Sequence, residues 1–173
     1  QPFAHGVDVS IQALTKYVAG HSDVLLGGVV TNGADDWERV RNAATQLGQY
    51  ASPDDCWLAL RGVRTMAVRL ERQMQSGLQV ARWLADRPEV SRVLHPALPS
   101  CPGHAFWVRD FSGACSLFGF VLQPHFSHAA VAAMAEGLAL FGIGASWGGY
   151  ESLVLPSTGS IARSAGTGAF GGE

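Results

Sequence analysis

Residues 52 to 88 carry the instruction that most restricts how this chain can fold. Ser52-Pro53-Asp54-Asp55 has the makings of a helix start. A serine hydroxyl can accept from a first-turn N–H, proline's fixed φ suits the first helical position, and two acids favour the positive end of the helix dipole. Val63, Met66, Ala67, Leu70, Met74, Leu78 and Ala81 then recur at helical spacing, with Arg64, Arg72, Gln75, Gln79 and Arg82 on the other side. Arg87-Pro88 ends the run, because proline lacks an N–H and pushes its predecessor out of helical backbone. The pattern predicts one helix over 54–88, with Gly62 and Gly77 allowing a bend or close packing. That is long for a globular helix, so it predicts a connection between two subdomains.

The flanks have different textures. Residues 7–14 alternate loosely and read as a strand; residues 24–31 are β-branched and read as a second, largely buried strand. Asp35-Asp36 predict the cap of a short helix with Trp37, Val40, Ala44 and Leu47 on one face and Gly48 as its stop. Beyond the long helix, strands are predicted over 90–95, 116–123 and 142–147, with a Pro/Gly-rich loop over 96–103. Ser127 predicts the cap of a helix that turns Val131, Met134, Ala135 and Leu138 inward. A polar turn over 146–152 leads into Leu153-Val154-Leu155, and beyond Pro156 small residues support no secure element. The fold class read from this order is α/β: residues 1–53 as the end of a larger domain, 54–88 as a connecting helix, and 89–173 as a smaller α/β domain. Gln1-Pro2-Phe3 and the glycine-rich stretch 166–173 add the expectation that the chain is part of a longer protein.

Composition narrows the function classes. Hydrophobic residues make up 47% and charged residues 15%, which suffices for a packed core. Twelve basic against fourteen acidic side chains, with no basic cluster, argue against a nucleic-acid partner. No apolar run approaches the ~20 residues of a membrane-spanning helix, and the start lacks a signal-peptide pattern. Cys56, Cys101 and Cys115 form no CxxC and are odd in number, which argues against zinc and a disulfide framework and fits a reducing, cytoplasmic setting. The six histidines show no metal-ligand spacing.

Lys16 stands out chemically. It is the only lysine, beside eleven arginines. An amine condenses with an aldehyde, whereas a guanidinium stays protonated and does not. A loop lysine most simply faces water, but this one follows a hydroxyl, Thr15, and joins two predicted strands, so its loop is expected to line a cleft. Gly20-His21-Ser22-Asp23 reads as a turn, with a phosphate nest as the alternative. Ser146-Trp147-Gly148-Gly149-Tyr150 is either a tight turn or a place where glycines admit a ligand to backbone N–H groups. Arg61 and Arg64 read most simply as a solvated face, or as a tie to a neighbouring carboxylate.

Taken in order, these segments resemble one family. Ser10-Ile11-Gln12-Ala13-Leu14-Thr15-Lys16-Tyr17 followed by Gly20-His21-Ser22-Asp23 is similar to the pyridoxal-phosphate lysine segment of the cystathionine β-lyase/cystathionine γ-synthase family. Leu60-Arg61-Gly62-Val63-Arg64-Thr65, His95-Pro96-Ala97-Leu98-Pro99, Gly103-His104, Trp107, Arg109-Asp110-Phe111 and 146–153 follow in family order. Ala13 and Trp147 resemble the β-lyase branch, where γ-branch members usually carry serine and leucine.

The resemblance implies a fold type I enzyme and a function. Lys16 would hold pyridoxal phosphate through its amine, Thr15 would hydrogen-bond the cofactor phosphate, and Ser146 and Trp147 would sit at the substrate carboxylate. Displaced by the substrate amine, Lys16 would remove the Cα proton, and the sulfur on Cβ would leave as a thiol, giving pyruvate and ammonia. The implied substrate is cystathionine and the implied assembly a homodimer or homotetramer. The family's aspartate for the pyridine nitrogen and its ring-stacking tyrosine would lie before Gln1, and its carboxylate-binding arginine after Glu173; Arg163 has the wrong surroundings for that role. γ-Synthase or γ-lyase chemistry and a folded, inert module remain the alternatives.

Overall fold

The computed structural model describes residues 2–157; Arg163 and the tail lie outside them. The chain divides into two compact units. One comprises residues 1–76 and 147–150, the other 77–146 and 151–173.

In the first unit, a short 3-10 turn (Pro2–His5) precedes an antiparallel pair, β1 (Val9–Ala13) and β2 (Gly27–Thr31). Val9 faces Thr31 and Ala13 faces Gly27 across the ladder. The expectation that the second strand is largely buried is corrected: Val29 and Val30 are 47% and 54% exposed. Its β-branched residues satisfy strand backbone preferences, but a ribbon of two strands leaves much of both faces uncovered.

Helix α1 (Ala34–Gln46) follows. Its cap is Gly33, without a side-chain hydrogen bond, and Asp35 and Asp36 occupy the first turn rather than capping it. Gly48 has φ +66° just past the C-cap Leu47, the left-handed backbone with which helices commonly stop. Leu47 is 73% exposed and lies outside the helix.

The long helix is two helices, α2 (Pro53–Val63) and α3 (Met66–Ala85). The start is as expected: Ser52 Oγ accepts from the N–H of Asp55 at 3.0 Å, with Pro53 in the first turn. The interruption at Arg64-Thr65 traces to the Gly62 carbonyl. It accepts from Thr65 N (3.1 Å), Thr65 Oγ1 (3.2 Å) and Arg69 Nη2 (2.8 Å). An i+3 contact with two side-chain donors replaces regular α-helical propagation. Arg61, Arg64, Arg72, Gln75, Gln79 and Arg82 are exposed, as their spacing predicts.

The second half of α3 belongs to the other unit. Ala81 is fully buried there with Val93 and Leu98, and Leu84, Val90, Phe118 and Phe120 pack against them. Gly77 runs against the backbone of Ser116, where a Cβ would lie 3.2 Å from Cα. β3 (Val90–Leu94) pairs antiparallel with β4 (Gly119–Leu122), with an irregularity between Val90 and Arg92. Ser91 fills it, its hydroxyl reaching the carbonyls of Val121 (3.1 Å) and Leu122 (3.2 Å).

Helix α4 (His104–Asp110) spans a stretch whose sequence carries motifs but predicts no element. α5 (His128–Glu136) is capped as expected, Ser127 Oγ accepting from Ala130 N at 3.3 Å, and Ala135 is buried. β5 (Gly142–Ile143) and β6 (Leu153–Val154) form a short parallel pair. The strands predicted over 116–123 and 142–147 are thus shorter than their apolar runs.

Candidate functional site

Lys16 lies in the turn that leaves β1. Its N–H donates to Ala13 O at 3.1 Å, Ala19 N to Leu14 O at 2.8 Å, and Gly20 N to Lys16 O at 2.8 Å. These bonds wind residues 14–20 into a compact turn and bury Ala19 and Gly20 beneath it. Lys16 itself is half-buried.

Thr15 locks the turn to the incoming strand. Its hydroxyl accepts from Leu26 N at 2.9 Å and donates to Leu26 O at 3.2 Å, while its own N–H also donates to Leu26 O at 3.1 Å. A hydroxyl has one proton. In this conformation it is directed to Leu26.

The Lys16 Nζ sits 4.3 Å from the centroid of the Trp147 ring. The structure therefore brings together Lys16 and Trp147. The approach depends on Gly148, which has φ +81° and packs onto the backbone of the lysine turn. A Cβ there would meet Tyr17 N at 2.8 Å and Lys16 C at 2.9 Å, and the left-handed backbone disfavours any side chain independently. Ser146, by contrast, is an exposed residue of the other unit.

Two residues not singled out from the sequence hold this arrangement. Arg69 Nη1 donates to Tyr17 O at 2.9 Å, Nη2 to Val18 O (3.3 Å) and Gly62 O (2.8 Å), and Nε to Thr65 Oγ1 (3.0 Å). Partial burial lowers its pKa from the ordinary guanidinium value. Gln73 Nε2 donates to Gly149 O at 3.3 Å. Their sole sequence signal is polarity at i and i+4 on the helix.

Gly20-His21-Ser22-Asp23 is a turn, with φ +71° at Gly20 and +57° at Ser22. The Arg69 guanidinium fills the space beside Gly20, and His21 donates through Nδ1 to Ala19 O at 2.6 Å. Among the described residues no group of His, Cys, Asp and Glu could hold a metal ion, and no helix is long and apolar enough to cross a membrane.

In chemical terms the site offers a primary amine on a rigid turn, an aromatic face against it and a glycine turn in close backbone contact. That donor set fits a cofactor that bonds to an amine through an aldehyde.

Comparison with known proteins places these residues in a family. The chain is 53% identical over 158 residues to a putative cystathionine beta-lyase of Rhizobium johnstonii, covering 90% of this chain and 40% of the relative. It is 49% identical over 150 residues to the cystathionine beta-lyase MetC of Escherichia coli, covering 87% and 38%. The solved cystathionine gamma synthase of Xanthomonas oryzae pv. oryzae, in complex with cystathionine, superposes with a TM-score of 0.83 at 37% identity, over 88% of this chain and 39% of that one. The chain thus spans about 40% of the length of the proteins it matches. The model of the Cys/Met metabolism PLP-dependent enzymes matches residues 1–166. With nearly the whole sequence aligned to that model, this chain belongs to the pyridoxal-phosphate-dependent enzymes of cysteine and methionine metabolism.

Proposed function

We propose that this chain carries the cofactor lysine of a carbon–sulfur lyase that cleaves cystathionine by β-elimination to homocysteine, pyruvate and ammonia. The observation that carries the reading is the only lysine of the chain held against the Trp147 face at 4.3 Å by a hydrogen-bonded turn. Pyridoxal phosphate supplies an aldehyde for the amine and, when bound, a sink for the electrons left at the substrate Cα. Lys16 would hold the cofactor through Nζ. When free, Nζ would take the Cα proton as a general base from a fixed position, with the sulfur on Cβ leaving as a thiol. Trp147 walls one side of the amine, and with Ser146 is assigned to the substrate carboxylate. Thr15 is assigned to the cofactor phosphate. That role requires its O–H to turn from Leu26 O, the longer of its two hydroxyl bonds at 3.2 Å.

In the same reading the architecture is fold type I. Residues 1–53 close the cofactor-binding domain, 54–88 connect, and 89–173 form part of the smaller domain. Self-association to a homodimer or homotetramer belongs to the same reading; in this chain taken alone Leu25 is 87%, Leu140 86%, Tyr50 80% and Tyr150 80% exposed, apolar surface that further protein would cover. The three free cysteines suit a reducing, cytoplasmic setting.

The β-lyase names of the Rhizobium and Escherichia relatives, at 53% and 49% identity, favour β- over γ-chemistry. The γ-synthase neighbour keeps γ-chemistry as the second reading. Product analysis with the whole enzyme and cystathionine decides between the two lyase reactions. Pyruvate with homocysteine supports the proposal; 2-oxobutyrate with cysteine replaces it with γ-elimination.

A further inference from the structure

Helix α3 touches both halves of the Lys16–Trp147 pair through side chains one turn apart. Arg69 grips the carbonyls that directly follow the lysine, Tyr17 O at 2.9 Å and Val18 O at 3.3 Å. Gln73 grips Gly149 O, two residues after the tryptophan, at 3.3 Å. The amine and the indole sit on segments some 130 residues apart in sequence, yet one turn of one helix holds the main chain of both.

The Gln73 amide is informative because it is only half satisfied. Among the described residues its Oε1 is buried without a hydrogen-bond partner. Flipping the amide would set two carbonyl oxygens against each other, so the geometry fixes Nε2 toward Gly149. A buried unpaired acceptor is destabilising. Leucine, of similar size, would remove it. The N–H bond to the glycine turn accounts for an amide at this place.

We infer that Arg69 and Gln73 are positioning residues that set the Lys16 amine against Trp147, and thereby orient the cofactor bonded to that amine. The inference rests on the reading of Lys16 as the cofactor lysine. Arg69 fixes the lysine turn from its C-terminal side. Gln73 fixes the Trp147-Gly148-Gly149-Tyr150 turn, whose glycine backs onto Lys16 C and Tyr17 N. Neither residue touches the reacting atoms.

Gln73→Leu is the principal test, with Arg69→Lys beside it. Hydrogen exchange is followed in the peptides spanning 14–20 and 147–150. Induced circular dichroism is recorded in the absorption band of bound pyridoxal phosphate, and thermal unfolding serves as control. Gln73→Leu removes both the unpaired Oε1 and the bond to Gly149 O, two changes that offset, and is expected to melt near the wild-type temperature. Exchange in 147–150 should quicken on the order of fivefold, the opening ratio that one neutral hydrogen bond supplies, and the induced signal should be lost. Arg69→Lys replaces a fork by a point donor and should quicken exchange in 14–20. Wild-type exchange and wild-type dichroism in Gln73→Leu overturn the inference. A whole wild-type enzyme with no cofactor signal sinks the cofactor reading instead. The exchange comparison needs no cofactor and still decides whether Gln73 fixes the turn.

Discussion

Gly62→Ala tests how closely α2 and the lysine turn are packed. On an exposed helix the change stabilises by about 1 kcal/mol, because alanine is the better helix former. Here a Cβ would run into Ala19 O and would stand 2.6 Å from Val18 O and 2.8 Å from Ala19 C. All three atoms are main chain, so no rotamer change relieves the clash. The two backbones must separate by several tenths of an ångström or more. Overpacking of this kind costs about 1–3 kcal/mol. Separation also stretches the Arg69 bonds to Val18 O and Gly62 O, which lie on opposite sides of the same gap. Charged hydrogen bonds of this type contribute about 1.5–3 kcal/mol each, and partial loss is enough to outweigh the helix gain. A net destabilisation of roughly 2–4 kcal/mol follows, lowering Tm by roughly 4–16 °C for a chain of this size. Urea unfolding followed by far-ultraviolet circular dichroism measures it, with Gly27→Ala as control, since nothing lies within 4 Å of a Cβ there. A Gly62→Ala protein as stable as wild type, or more stable, refutes the packing argument.

Three further outcomes follow from single contacts. Thr15→Val keeps the shape but removes both hydroxyl bonds to Leu26; it should lower stability by about 1–3 kcal/mol, and Thr15→Ser should recover most of that in the same urea experiment. Ser52→Ala removes the bond from Asp55 N and should cost about 1 kcal/mol, read from the shift in urea midpoint at constant slope. His95 is 1% exposed, and burial is the main cause that lowers its pKa, with Arg82 adding to it. The unfolded chain then binds the proton more readily, so the contribution is present above the ordinary histidine value near 6.5 and falls away below it. Stability measured from pH 7.5 downward should decline through that range and flatten in His95→Phe.

The sequence made some elements plain because their causes are local. Ser52-Pro53 and Ser127 cap their helices through a hydroxyl and an N–H three residues apart, and Gly48 stops α1 by adopting a backbone that glycine favours. What escaped is caused at a distance. The periodicity through residues 63–67 is helical, but the Gly62 carbonyl is claimed by Arg69, and Arg69 is placed by the carbonyls of Tyr17 and Val18, some fifty residues earlier. Helix α4 offers no capping side chain: Gly103 stands at its N-cap, without a side-chain hydrogen bond. Lys16 was legible as chemistry from its uniqueness, and Trp147 from its place in a glycine turn. Gln73 was not, because its bond to Gly149 joins residues 76 apart and leaves no local pattern.

The most direct measurement of the central claim uses the fact that Lys16 is the only lysine among residues 1–173, so a labelled peptide from this stretch has one possible site. The whole enzyme is incubated with equimolar pyridoxal phosphate, reduced with borohydride, digested, and the modified peptide identified by mass. The account predicts a pyridoxyl group on the peptide that contains Lys16, and none in Lys16→Ala. No label at Lys16, or equal cofactor uptake after Lys16→Ala, would contradict it.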